Sequence, residues 1–243
     1  MADKVEIIGG RSLHGNVAIF SDGFGAEARY HRGGSKITVS AWKRGRGFSS
    51  YGIFIFIGVF FLLDIIRGLF MVFDSTLPRV STQPGLTYWA TNIGIMMVAI
   101  AWIGIRIAKW HGAEHMVIQA YRTEGKSGLE EARRFSPVAD KCGSRFLFAY
   151  LLLMVIRAVL LPPAWEWLTA LILLIVFFVK PLRPLFTENP VVIFFSRLLQ
   201  RHITARQPGD VELLTAHCAL LGLLKAHGHE FQFPDGVEYE FTE

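Results

Sequence analysis

Two long apolar runs constrain this chain more than anything else in it. Residues 51–73 form a nearly unbroken run of 23, and residues 87–108 a second of 22. Each reaches the roughly 20 residues that a membrane-spanning helix needs. Residues 146–161 and 164–179 add two runs of 16, separated by Pro162 and Pro163. At ~1.5 Å per residue these reach about 24 Å each, so a full crossing must recruit flanking residues, with a shallow re-entrant hairpin as the alternative. Composition agrees: 52% of residues are hydrophobic and 19% charged, against about 25% charged in average soluble domains. The expectation is an integral membrane protein, mainly α-helical, with about four transmembrane helices in two hairpins.

Charge gives the expected orientation. Eight Lys and Arg precede the first run and six lie between residues 110 and 145, whereas the link between the first two runs holds only Arg79 and the Pro162-Pro163 turn none. By the positive-inside rule both termini and the central loop are cytoplasmic, and four passes give that parity. The net charge of +5 does not imply nucleic acid, because the basic residues flank apolar runs, where they meet the lipid bilayer. Cys142 and Cys218 fall on segments expected in the reducing cytoplasm, so no disulfide is expected.

Three regions result: a Gly-rich β-type region over 1–50, a membrane region over 51–182 with a cytoplasmic loop at 110–145, and a C-terminal region over 183–243. In the first, alternation at 5–8, 26–30 and 36–42 predicts short antiparallel strands between glycine turns. Gly9, Gly10 and Gly15 are not followed by Gly-Lys-Ser/Thr, so they mark a turn and not a phosphate loop. In the last, 190–203 suits an interfacial helix that ends in Arg197, Arg201 and His202. Residues 210–225 predict an amphipathic helix begun by Pro208-Gly209-Asp210 and stopped by Gly228. The tail 230–241 predicts a strand pair around Pro234-Asp235-Gly236.

The chemically loaded string is Trp110-His111-Gly112-Ala113-Glu114-His115. If the second helix continues, His111 and His115 are one turn apart on one face, the spacing at which two imidazoles reach one metal ion. Read as His-x-x-Glu-His, it matches the inverted zincin pattern, with Glu114 as general base. Cys142 closes the same loop and would supply a thiolate, and Asp140 is a further candidate ligand. A divalent metal, zinc first, with one open position would activate water for attack on a carbonyl or phosphoryl group. The structural alternative is a polar interfacial cap. A second constellation, Asp64, Arg67 and Arg157, lies inside apolar runs and must face protein or water. It reads either as a helix-to-helix ion pair or as a polar cavity for an anionic substrate. His217 beside Cys218, and His227 with His229, read as packing or surface.

These residues resemble the YqhQ-like family of bacterial membrane proteins, a group of unknown function described as predicted metal-dependent enzymes. The resemblance rests on Ile8-Gly9-Gly10 with Gly15, Ile65-Ile66-Arg67-Gly68, His111 to His115 followed by Ala120-Tyr121, and Arg133-Arg134-Phe135-Ser136. It also takes in Cys142-Gly143-Ser144-x-Phe146 and Gln200 to Thr204 with Pro208 and Glu212. It implies a multi-pass protein of the bacterial inner membrane. Family members carry a His three residues before the Cys, where this chain has Ala139. The functional expectations are three: a metal-dependent hydrolase, a non-enzymatic scaffold that binds another membrane protein or its own copies, and a small oligomeric transporter using Asp64, Arg67 and Arg157.

Overall fold

The computed structural model describes residues 4–31, 36–43, 86–125, 128–140, 142–145, 148, 152 and 188–242. Within them, β1 (Ile7–Leu13), β2 (Asn16–Ser21), β3 (Phe24–His31) and β4 (Lys36–Lys43) form an antiparallel meander. The helices are α1 (Leu86–Glu124), α2 (Leu129–Arg133), α3 (Pro190–Leu199) continuing into a π-helical turn (Gln200–Thr204), and α4 (Asp210–Ala226). The tail returns as β5 (Val237–Thr242), which pairs in parallel with β4. The expected tail hairpin is therefore a single strand added to the N-terminal sheet. The Pro234-Asp235-Gly236 turn leads into it, with Gly236 at φ +80°.

Period-two alternation assigns the two faces of the sheet. Val17, Ala28 and Val39 lie in register across β2, β3 and β4, and so do Ile19, Ala26 and Ala41; all six are buried. This is the face that α4 covers. A Cβ at Gly222 of α4 would stand 2.5 Å from Val39 Cγ1 and 3.3 Å from Ala26 Cβ, so only a bare backbone allows helix and sheet to come this close. The other face carries Arg11, Asn16 and Arg29 around Glu27, the polar outer row of a sheet covered on one side.

The chain divides into two compact units. One comprises Met1–Ser49, Ala101–Asp140 and Arg197–Glu243, and holds the sheet, α4 and the core just described. In the other, Ser50–Ile100 with Lys141–Ser196, the hydroxyls of Ser144 and Ser196 are hydrogen bonded at 2.8 Å and Phe148 stacks on Phe195.

The expected fold class is corrected here. Among the described residues no helix is long and apolar enough to cross a membrane, and the described architecture is a mixed α/β one, a five-stranded sheet with packed helices. The integral-membrane, mainly α-helical, multi-pass assignment and the inner-membrane placement fall with that finding. The physical reason shows in α1, which does not end where the second apolar run does. It continues to Glu124, and Trp110, Ala113, Met116 and Val117 join the core shared with the sheet and α4. The helix that carries the run is thus anchored in the core by the residues that follow it. Residues 51–73, 164–179 and most of 146–161 lie outside the described residues, and so do Asp64, Arg67 and Arg157.

Candidate metal centre

Continuation of α1 through residue 124 places His111 and His115 one turn apart on the same face, with ring centroids 4.3 Å apart. His111 Nδ1 lies 2.9 Å from the Thr204 carbonyl oxygen, and His115 Nδ1 lies 2.6 Å from that of Pro137. A carbonyl can only accept, so each Nδ1 carries a proton, and in the neutral ring the lone pair falls on Nε2. Metal-ligating imidazoles are held in this way, because the outer hydrogen bond fixes both the tautomer and the ring orientation. Cys142 completes the group: one ligand atom from each of His111, His115 and Cys142 lies within 4.8 Å of the others. Donor atoms around a tetrahedral zinc stand roughly 3.5 Å apart, so the group is one that could hold a metal ion. The Ser144 backbone N–H donates to Cys142 Sγ at 3.4 Å, which favours the thiolate that a metal requires.

Small residues and an irregular helix end bring these groups together. A Cβ at Gly112 would collide with the Arg206 carbonyl oxygen, so glycine between the two histidines lets the chain after the π-helical turn lie directly on α1. Arg206 N donates to the Ala108 carbonyl at 2.9 Å and secures that approach. On the other flank, Gln119 Nε2 donates to the Ser136 carbonyl at 3.0 Å, and Ala139 N donates to Gln200 Oε1 at 3.0 Å. These bonds hold the 136–139 segment over His115.

The remaining expected residues are placed as follows. Glu114 is 5% exposed; at about 100° per residue it sits roughly 60° and 100° around the helix from the two histidines. Its Oε2 accepts from Ser12 Oγ on β1, and a Cβ at Gly10 would fall on the same carboxylate. Asp140 is engaged by Arg197, at 2.7 Å from Nε and 2.6 Å from the terminal nitrogen. It is exposed and stands outside the His-His-Cys group. Ala139 contributes only its backbone N–H. Sequence reasoning passed over Ser12, Gln200 and the carbonyls of Thr204 and Pro137. A carbonyl has no residue-type signature, and only the Gln200 to Thr204 string gave a hint.

Two further histidine clusters occur. In α4, His217 Nδ1 is buried with no hydrogen-bond partner among the described residues. Burial pulls its pKa down to about 4, opposed by Glu131. The adjacent Cys218 thiol is pushed up to about 12 by burial. Past the end of α4, His227 Nε2 lies 2.7 Å from Ser21 Oγ at a cavity of about 390 Å³ that Lys4, Asp22 and His229 also line. Ser21 Oγ also lies 3.3 Å from the Phe24 carbonyl; if it donates there, it accepts from His227. That arrangement pins the hairpin turn to the helix end. Neither Cys142 nor Cys218 is in a disulfide.

No curated protein and no solved structure matches the chain. One family model does, that of the proteins of unknown function DUF1385, over residues 45–226. The matched stretch begins after β4 and includes His111, His115, Cys142 and the π-helical turn. Since it takes in most of the 243 residues, the chain belongs to the DUF1385 family.

Proposed function

We propose that His111, His115 and Cys142 hold a divalent metal, zinc before others, in the centre of a metal-dependent hydrolase. The observation that carries this reading is the pair of imidazoles whose Nδ1 atoms are both taken by backbone carbonyls while a thiol lies within reach. Among the described residues the group holds three protein donors, the number found in catalytic zinc sites that keep a fourth position for water. When bound, the metal supplies Lewis acidity and brings the pKa of a water toward about 7. The chain's own groups do the rest. The Thr204 and Pro137 carbonyls fix the tautomers, the Ser144 N–H supports the thiolate, and Glu114 serves as proton acceptor, steadied by Ser12. The string from His111 to His115 and Cys142-Gly143 supports reading the family one step finer, as the YqhQ-like group.

A second reading has one observation in its favour. Because Ser12 engages the Glu114 carboxylate at β1, the centre can instead be a metal clip that stiffens a non-enzymatic assembly partner. The transporter reading rests on Asp64, Arg67 and Arg157, outside the described residues, and is not carried forward.

A panel of carboxyl and phosphate esters assayed with purified protein separates the first two. The hydrolase reading expects turnover that chelation abolishes and zinc restores, with Glu114→Gln slower by about 10²-fold or more while metal is retained. No turnover in wild type with metal bound favours the clip, whereas undiminished turnover in Glu114→Gln removes Glu114 from the chemistry and leaves the hydrolase standing.

A further inference from the structure

The π-helical turn Gln200–Thr204 is an unusual way to end a helix. Such turns are rare and concentrate at functional sites. Here the bond from Ala205 N to Gln200 O at 2.8 Å closes it. The last carbonyls of a helix have no intrahelical N–H to accept, and that of Thr204 is taken by His111 Nδ1. Four residues earlier, the Gln200 side chain is 1% exposed, and its amide oxygen accepts the Ala139 N–H at 3.0 Å. Ala139 is two residues from Pro137, whose carbonyl takes His115 Nδ1. Both acceptors that set the imidazoles are thus tied to one five-residue element, one through its backbone and the other through a single buried amide.

We propose that Gln200 is a positioning residue of the metal centre, which holds the 137–139 segment so that the Pro137 carbonyl stays on His115 Nδ1. Burial alone does not account for an amide at this place. An apolar side chain of the same size would fill the volume without holding the half-buried Ala139 N–H. Gln200 acts on the centre through the loop backbone and the orientation of His115. Outer-shell partners of metal-bound imidazoles typically change affinity by about 10- to 100-fold when removed.

This inference rests on the metal reading above, and cobalt(II) titration of the full chain keeps the two apart. Wild type is expected to bind one cobalt with the intense d–d bands of a tetrahedral site and a thiolate charge-transfer band. Gln200→Met, close in size but without the amide, is expected to bind roughly 10- to 100-fold more weakly with diminished d–d intensity. Gln200→Glu restores an acceptor oxygen and is expected to recover the wild-type spectrum. Ala139→Pro deletes the same bond from its donor side and is expected to reproduce the loss, so it decides the matter if Gln200→Met does not fold. Equal affinity and spectrum in wild type, Gln200→Met and Ala139→Pro would overturn the role of Gln200 and leave the metal reading standing. No cobalt binding by wild type would overturn both.

Discussion

Histidine and cysteine come together twice in this molecule, on α1 with the 142–144 segment and inside α4, and the two places differ in what surrounds them. On α1, the Nδ1 atoms of His111 and His115 each meet a backbone carbonyl, and Cys142 Sγ receives an N–H. In α4, His217 and Cys218 are neighbours in sequence, yet His217 Nδ1 meets no partner among the described residues and burial drives the Cys218 thiol up to about 12. The same residue types form a group that could hold a metal ion in one place and pack in the core in the other. What separates them is the hydrogen bonding that orients the rings, which composition and spacing do not reveal.

The largest expected effect is on metal content. His115→Ala removes one of three donors and is expected to abolish stoichiometric metal, as read by elemental analysis of purified protein, whereas His217→Ala is expected to change nothing. Metal lost equally from both variants would erase the distinction.

Thiol chemistry sharpens the comparison. At pH 8 a thiol with a pKa near 12 is only about one part in 10⁴ thiolate, so Cys218 is expected to resist iodoacetamide until the protein unfolds. Cys142 is expected to become alkylated once a chelator removes the metal. Mass spectrometry of peptides from chelated, folded protein reads the outcome, and preferential labelling of Cys218 would contradict it.

The next effect is on stability against pH. The unfolded chain protonates His217 near pH 6.5 and the folded one only near 4. The stabilisation from keeping it neutral is therefore complete above about 6.5 and is lost as pH falls toward 4. The folded-to-unfolded difference corresponds to roughly 3 kcal/mol over that window. Urea unfolding at pH 7 and pH 4.5 is expected to show the drop in wild type and a smaller one in His217→Leu. Equal drops would mean that His217 is not the group responsible.

The smallest effect concerns Asp140, whose pairing with Arg197 is exposed on both sides. Such pairs contribute about 0–1 kcal/mol, so Asp140→Asn is expected to keep its metal and nearly all its stability. Loss of metal in that variant would make Asp140 a ligand after all.

Legibility from sequence followed the range of the interactions involved. Helix α4 was read almost to the residue from its start signal and Gly228, and α1 continued far enough to stack His111 on His115 as expected. The strand 16–21 escaped, because Val17, Ala18 and Ile19 are all buried and show no alternation. The parallel pairing of β5 with β4 joins residues some two hundred positions apart, and no local pattern encodes it. The apolar run at 87–108 was read as a membrane span, but its helix runs on to Glu124 and enters the core only beyond the run, from Trp110 onward, a change that hydropathy does not mark. At the site, the residues that come together, His111, His115 and Cys142, were legible. The carbonyls that orient them were not, and neither was the placement of Glu114 against Ser12, since both depend on chain segments that meet only in the fold.

X-ray absorption at the zinc edge of the purified protein tests the central claim most directly. A centre of His111, His115 and Cys142 is expected to show about one zinc per chain, with one sulfur near 2.3 Å and two imidazole nitrogens near 2.0 Å. A first shell without sulfur, or no zinc bound, would contradict it.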